Sequence, residues 1–253
     1  MRPRRRRPSF LVQLIDLALV ELTNWRWSWR AMLVTGMVAP LLSMAALGVF
    51  ARDSGPDALA YILTGNVVLA LMFETMNRVQ GHFVYMRTQG TLDYFASLPI
   101  RKYALILAVA LAFLALSLPS LLVTMLAGAA LLGVRLAPSP LLLAVIPLCA
   151  IPLAGVGALI GAAVRNPQEG NALTMILTFV MLGLGPVIVP PDRLPPLALA
   201  LGRLSPATYA ASAMRQALLG PATAQIEVDL AALAAFSVVT FALTGRKMDW
   251  RQQ

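Results

Sequence analysis

Long apolar runs separated by short polar connections occupy most of the chain between residues 31 and 243. A transmembrane α-helix needs about 20 mostly apolar residues to cross the hydrocarbon core of a bilayer. Runs that meet or approach this length lie at 31–50, 58–76, 103–134, 141–164, 171–189 and 226–243. The pattern therefore predicts an all-α, polytopic membrane protein with six transmembrane helices, built as a single domain over residues 1–253.

An amphipathic segment, residues 9–30, precedes the first apolar run. Its apolar positions recur at helical spacing beside a narrower polar stripe, as in helices that lie in a membrane interface. Trp25, Trp27 and Trp29, next to Arg26 and Arg30, are typical of residues at headgroup depth. We expect an N-terminal interfacial helix over 9–30, with the basic segment 2–7 held at the cytosolic membrane surface.

The segment RTQGTLDYFASLPIRK, residues 87–102, is a compact polar stretch between the second and third apolar runs. We expect Gly90 to break the preceding helix, Thr91 to cap a short new helix, and Pro99 to end it. The positions on one apolar face of that helix are Leu92, Phe95, Ala96 and Pro99. Such a face either docks into a groove on another protein or rests on the bilayer.

Residues 190–220 are rich in proline and only moderately apolar, and Arg193, Arg203 and Arg215 interrupt them. Neither half of this stretch is suited to crossing a membrane. Non-helical backbone at membrane depth is tolerated only where protein shields it. We therefore expect short re-entrant helices in the outer leaflet, just before the last span.

The composition agrees with a membrane protein, because 59% of the residues are hydrophobic, 12% are charged and the mean hydropathy is +0.77. A soluble domain carries about 25% charged residues. The net charge of +9 does not indicate a nucleic-acid partner, since the basic residues flank apolar runs rather than forming a basic face. Most of the 20 Lys and Arg residues fall in connections on one side of the six-span topology. The positive-inside rule places that side, both termini and residues 87–102 in the cytosol.

Groups suited to catalysis or metal binding are sparse in the sequence. No G-x-x-x-x-G-K-[ST] motif occurs, so the chain has no P-loop for hydrolysing ATP. His82 is the single histidine and Cys149 the single cysteine, which leaves no pair for a disulfide or a His/Cys metal centre. We expect His82 to be solvated and Cys149 to be a packed thiol. No catalytic residue, metal site or cofactor is expected in this chain.

Two stretches resemble ABC-2 type transporter permeases. Residues 90–101, GTLDYFASLPIR, look like the cytosolic coupling-helix region of that family, and residues 204–220, LSPATYAASAMRQALLG, look like the re-entrant region before its last span. The resemblance assigns contact with an ATPase partner to Gly90, Thr91, Leu92, Asp93, Tyr94, Phe95, Ala96, Ser97, Leu98 and Pro99. It assigns the outer re-entrant region to Pro206, Tyr209, Arg215 and Gly220. The segment 9–30 corresponds to the connector helix of the family.

The resemblance covers nearly the whole chain and implies the permease subunit of an exporter-type ABC transporter in the cytoplasmic membrane. Its expected partners are two copies of a separate ATP-binding cassette subunit, which binds ATP and Mg, and a second permease copy in a homodimer. Closure of the ATPase subunits is expected to be transmitted through the coupling helix and the connector helix.

The expected substrate is a hydrophobic or amphipathic compound, such as a drug or a lipid, because few aromatic residues lie within the predicted spans. Sugars stack on aromatic faces, so export of a polysaccharide or a glycolipid-linked polymer is the alternative. A non-transporting membrane scaffold is a third reading. Candidates for lining the path are Thr35, Asn66, Asn171, Thr174 and Thr178. Asn66 has a second interpretation, an interhelical hydrogen bond within the bundle.

Overall fold

The computed structural model describes residues 9–25 and 28–248, and within these ranges it contains helices and turns but no β-strand. The basic segment 2–7, Arg26 and Trp27 lie outside the described residues, as do residues 249–253. In chain order the helices are α1 (Phe10–Trp25), α2 (Trp29–Phe50), α3 (Pro56–Leu71), α4 (Arg78–Thr88), α5 (Thr91–Ser97), α6 (Lys102–Leu132), α7 (Leu142–Ala163), α8 (Pro167–Gly183), α9 (Pro196–Gly202), α10 (Pro206–Leu219) and α11 (Gln225–Lys247).

Within the described ranges, 5 helices are long and apolar enough to cross a membrane. They are Trp29–Phe50, Pro56–Thr88, Lys102–Leu132, Leu142–Ala163 and Gln225–Lys247. They overlap the predicted spans 31–50, 58–76, 103–134, 141–164 and 226–243. The prediction of an all-helical protein with several membrane-spanning segments is therefore confirmed.

The predicted fifth span, 171–189, has different bounds in the structure. α8 begins earlier, at Pro167, because the side chain of Asn166 caps it by accepting a 2.8 Å hydrogen bond from the N–H of Glu169. α8 ends at Gly183, before Gly185 at φ +127° and Pro186. Its 17 residues extend about 25 Å, which is less than the hydrocarbon core of about 30 Å.

The predicted second span continues well beyond residue 76. α3 leads into a π-helical segment, Met72–Asn77, which leads directly into α4, so one helix runs from Pro56 to Thr88. The charged residues that suggested an end do not break the helix, because Glu74 and Arg78 form a 2.9 Å ion pair one turn apart. A π-helical segment inside a longer helix often marks a functional position.

α7 packs against this long helix through glycines. A Cβ added to Gly157 would overlap the carbonyl oxygen of Met76 in the π-helical segment. A Cβ added to Gly161 would lie 2.7 Å from the carbonyl oxygen of Gln80 in α4. The two backbones can lie this close only because these positions of α7 carry no side chain.

α1 buries two of its polar residues and exposes several of its apolar ones. Gln13 and Glu21 are 3% and 2% exposed, whereas Leu11 and Ile15 are 66% and 57% exposed. An outward apolar face of this kind is suited to contact with lipid.

The predicted helix over 9–30 is interrupted. α1 ends at Trp25, Ser28 lies in a turn, and α2 begins at Trp29. The ring of Trp25 packs on Phe113 of α6 with 5.7 Å between the centroids, and its headgroup depth stays a prediction. Of the other two tryptophans, Trp29 is partly exposed and Trp27 lies outside the described residues.

Buried apolar side chains form two clusters. The first is built mainly from α3, α6, α7 and α10. The second joins α1, α4, α5 and the first half of α6. Short helices are present between residues 190 and 220, where α9 has 7 residues and α10 has 14. The second cluster supports α5 and the site described next.

Candidate functional site

The predicted coupling helix is present as α5, Thr91–Ser97. Gly90 separates it from α4 and has φ +71°, a left-handed conformation that glycine adopts without strain. The prediction that Thr91 caps the helix is wrong, because Gly90 occupies the cap position and no side chain caps α5. The turn therefore depends on a backbone conformation rather than on a side-chain hydrogen bond.

The apolar face of α5 is directed into its own chain. Phe95 is 9% exposed and belongs to the second cluster, and Leu92 and Leu98 pack against the same cluster. Of the four residues on the predicted apolar face, only Phe95 is buried in the bundle; Leu92 and Ala96 are partly exposed and Pro99 is exposed. Tyr94 is 63% exposed, and Asp93 and Ser97 are exposed as well. The outer surface of α5 is polar.

Gln13 connects α1 to the chain that follows α5. Its Nε2 donates a 3.4 Å hydrogen bond to the carbonyl oxygen of Pro99. Its Oε1 accepts a 3.1 Å hydrogen bond from the N–H of Arg101. One buried amide thus satisfies two backbone groups in a non-helical connection, and movement of residues 99–101 is coupled mechanically to α1.

Two cations near the ends of α5 hold the ends of other helices. Arg87 donates from Nη1 to the carbonyl oxygens of Ala162 and Val164, at 3.2 and 3.0 Å, at the C-terminal end of α7. The Nζ of Lys102 donates to the carbonyl oxygen of Gly245 near the end of α11. Cations are favourable at these positions, because the last carbonyls of a helix lack intrahelical partners and carry partial negative charge.

A narrow cleft lies beside the first turn of α5. Its walls include Leu92 and Asp93 of α5, Arg87 of α4 and Lys247 of α11. The cleft therefore collects one acidic and two basic side chains at the end of the bundle where α4, α5, α7 and α11 meet. The outer face of α5 is thus polar, and residues next to α5 in the chain hydrogen-bond to α1, α7 and α11.

The ion pair of Glu74 and Arg78 extends to α2. Arg78 donates from Nε and Nη2 to the two carboxylate oxygens of Glu74, each at 2.9 Å. The same Nη2 also lies 2.8 Å from Thr35 Oγ1 and 3.1 Å from the carbonyl oxygen of Met32. Thr35, a predicted path residue, is thus engaged in a link between α2 and the long helix.

The other predicted path residues are not gathered around one cavity. Asn66 is fully buried and donates from Nδ2 to the carbonyl oxygen of Ile62 at 2.8 Å, so its observed bond lies within its own helix rather than between helices. Thr174 and Thr178 are buried and donate to the carbonyl oxygens one turn earlier in α8. Asn171 is exposed.

The four residues assigned to the outer region have distinct local roles. Pro206 begins α10 and Gly220, at φ +62°, follows its end. The hydroxyl of Tyr209 donates to the carbonyl oxygen of Arg203 at 2.9 Å. Arg215 lies over the ring of Tyr61 at 3.5 Å from the centroid, a cation–π contact between α10 and α3. Burial lowers the pKa of Arg215 to about 10, so the guanidinium remains charged at neutral pH.

His82 is buried rather than solvated, which corrects the sequence-based expectation. It is 8% exposed, and its Nε2 lies 3.0 Å from Oε2 of Glu21 in α1. Neither this contact nor the role of Gln13 was predicted. A signal was available in the sequence, since Gln13, Leu17 and Glu21 are spaced by four residues and so lie on one face of α1. In the described ranges, no group of three or more His, Cys, Asp and Glu residues is placed to hold a metal ion.

Comparison with known proteins gives one clear result. No curated protein matches the chain. The family model for the ABC-2 type transporter matches residues 14–219, which is well over half of the chain. This range includes most of α1 and all of α5 and α10. The chain therefore belongs to the ABC-2 type transporter family.

Proposed function

We propose that the chain is the permease subunit of an ATP-driven exporter for a hydrophobic or amphipathic compound, such as a drug or a lipid. Family membership makes it a membrane component of an ABC transporter, whose ATP-binding cassette belongs to the same assembly. The observation that carries the proposal is α5, a short helix with a polar outer face that is bonded through its neighbours to α1, α7 and α11. A partner that pushes on this face moves several helices together.

In the proposed mechanism the partner contacts Asp93, Tyr94 and Ser97 and displaces α5 when its subunits close on ATP. Gln13 carries this displacement to α1, and Arg87 and Lys102 carry it to the ends of α7 and α11. Rigid-body shifts of packed helices are a common form of such transitions. ATP and Mg belong to the partner, and this chain supplies no catalytic group.

The proposed location is the cytoplasmic membrane. The chain crosses it six times, and both termini and α5 lie in the cytosol. α8 provides the sixth crossing together with residues 184–189, and α9 and α10 are re-entrant at the outer side. The distribution of Lys and Arg supports this orientation. We propose a homodimer of this chain with two copies of the ATP-binding cassette subunit.

A lateral cavity supports the choice of an apolar substrate. A space of about 420 Å³ lies between α7, α8, α11 and the start of α10, and apolar side chains such as Val156, Leu177, Met181 and Phe236 line it almost entirely. The proposed path runs along α3 and α8, which touch, and which carry Asn66, Thr174 and Thr178. A polysaccharide conduit is expected to present more aromatic faces.

Transport by reconstituted vesicles tests the proposal. The chain is purified with the ATP-binding cassette subunit that accompanies it, and ATP-dependent movement of a hydrophobic dye is compared with that of a glycolipid-linked polymer. We expect the dye to move from the side of the membrane that holds ATP, which corresponds to the cytosol, to the opposite side. Movement of the polymer alone would contradict the substrate class, and movement toward the ATP would contradict export. Purification from native membranes without any P-loop ATPase would favour the scaffold.

A further inference from the structure

A second cavity, of about 630 Å³, opens between the end of α1, the start of α2, α4 and α6. The residues that define it are Trp25, Met32, Arg78, Gly81, His82 and Phe113. None of the predicted path residues lines it, although Thr35 contacts the lining residue Arg78. The cavity is separate from the cleft beside α5, whose lining residues are different.

One wall of this cavity is aromatic. The rings of Trp25, His82 and Phe113 contact one another, with centroids 5.5 to 6.0 Å apart. Three mutually packed rings from α1, α4 and α6 give a rigid, largely apolar surface. This surface is suited to a hydrocarbon chain.

The cavity lining also includes an arginine with unused donors, Arg78, which lies one turn before His82 in α4. All hydrogen bonds of Arg78 pass through Nε and Nη2, and none of the described residues accepts from its Nη1. The side chain is 22% exposed and lines the cavity. Because its bidentate pairing with Glu74 fixes the guanidinium plane, Nη1 is held in place before any ligand arrives.

His82 adds a second buried polar group to the cavity. Its Nε2 is directed at the carboxylate of Glu21, while none of the described residues pairs with its Nδ1. Among the described residues, the charged and titratable groups around the cavity are Glu21, Glu74, Arg78, His82 and Tyr85. Both carboxylates lie against a basic partner, and Arg78 and His82 rather than the carboxylates line the cavity itself.

We propose that this cavity binds a membrane phospholipid with an anionic headgroup, whose phosphate accepts hydrogen bonds from Arg78 while an acyl chain lies on Trp25 and Phe113. A free phosphate monoester shares the headgroup chemistry, but it would leave the aromatic wall exposed to water. A cationic amphiphile would meet the guanidinium of Arg78. The inference goes beyond the proposed function, because it holds whether the bound lipid is transported or resident.

Gly81 offers a direct way to fill the cavity. It lies within α4 on the cavity wall, and a Cβ added there would meet nothing within 4 Å. Replacing a glycine inside a helix also favours the helix by up to about 1 kcal/mol. Gly81→Leu therefore starts from a Cβ position without a close neighbour and extends a side chain into the lipid site. Gly183→Leu is the matched control, since Gly183 also faces open space but lies outside the cavity.

The experiment is native mass spectrometry of the purified full chain, titrated with phosphatidylglycerol, phosphatidylcholine, glycerol 3-phosphate and dodecyltrimethylammonium. We expect phosphatidylglycerol to bind the wild type about tenfold more tightly than the other three. Gly81→Leu should weaken its binding by about tenfold, while Gly183→Leu should bind as the wild type does. The double variant Glu74→Gln, Arg78→Gln, which removes both charges together, should lose the preference for the anionic headgroup.

Several results would overturn the inference. Wild-type binding of phosphatidylglycerol by a folded Gly81→Leu would place the lipid elsewhere. Equal binding of phosphatidylcholine would show that the site recognises only apolar chains and not the anionic headgroup. Equal binding of glycerol 3-phosphate would identify a soluble ligand instead of a lipid. Preference for the cationic amphiphile would reverse the assigned charge. Gly81→Leu decides the outcome if the double variant fails to fold, and none of these readouts depends on transport.

Discussion

The side chain of Gln13 in α1 accepts a 3.1 Å hydrogen bond from the backbone N–H of Arg101, a residue 88 positions later in the chain. The same amide donates to the carbonyl oxygen of Pro99. Both bonds fall on the connection that carries α5 into α6. Gln13 itself is 3% exposed, whereas Pro99 and Arg101 are exposed. The contact makes α1 and the exit of α5 one mechanical unit.

Replacing Gln13 by Met keeps the side-chain volume but removes both hydrogen bonds. We expect a loss of about 1–3 kcal/mol in the free energy of unfolding, because two hydrogen bonds of about 0.5–1.5 kcal/mol each are lost. We also expect ATP hydrolysis by the reconstituted transporter to continue while transport per ATP falls. Asp16→Asn is the control, since Asp16 is exposed on the same helix. Unchanged transport per ATP in Gln13→Met would show that this contact does not transmit movement.

The two faces of α5 should respond differently to substitution. Asp93→Lys together with Tyr94→Ala changes the exposed face, so we expect weaker binding of the ATPase subunit with an unchanged Tm of the isolated permease. Phe95→Ala removes a buried ring and should lower the stability by about 3 kcal/mol. Pulldown of the ATPase subunit and thermal unfolding of the permease separate the two effects. Partner binding that survives the first variant would exclude this face as the contact.

The position of α5 followed from sequence, but its orientation did not. A helix of 7 residues with one apolar face shows the same pattern whether that face meets its own bundle or a partner. Only the packing of Phe95 in the cluster formed by α1, α4 and α6 decides between them. Contacts between distant segments were missed for a related reason: the partner of His82 is Glu21 on another helix, and no local periodicity connects them.

The second span continues past the end of its apolar run, which hydropathy did not predict. The apolar run that predicts this span ends near residue 76, beside Glu74 and Arg78, and isolated charges are costly in a membrane. The structure offsets that cost by pairing Glu74 with Arg78 and by bringing Thr35 and the carbonyl oxygen of Met32 to the guanidinium. The spacing of four residues indicates the ion pair of Glu74 and Arg78, but no local pattern reveals the contacts of Arg78 with α2.

Gly157 should tolerate no side chain. A Cβ there would overlap the carbonyl oxygen of Met76. The nearest atoms all belong to the backbone of Met76, which cannot rotate away as a flexible side chain can. We expect Gly157→Val to cost about 2–4 kcal/mol through overpacking between α7 and the π-helical segment, and to lower the yield of folded protein. Gly81→Ala is the comparison, because the space beside Gly81 is open and the helix gains propensity. Equal unfolding midpoints for the two variants would contradict the close approach.

The left-handed turn at Gly90 provides a test of how much the direction of α5 matters. A Cβ at this position would meet nothing within 4 Å, so only the backbone conformation at φ +71° restricts the residue. Val strongly disfavours that conformation, whereas Asn adopts it more readily than other residues with a side chain.

We expect Gly90→Val to lose about 1–2 kcal/mol in folding free energy and to uncouple ATP hydrolysis from transport, because α5 leaves its place to relieve the strain. Gly90→Asn should stay close to the wild type in both properties. The check is transport per ATP in vesicles together with thermal unfolding of each variant. If Gly90→Val and Gly90→Asn behave alike, the turn conformation does not control α5, and its position is held by Phe95 and the Gln13 contact alone.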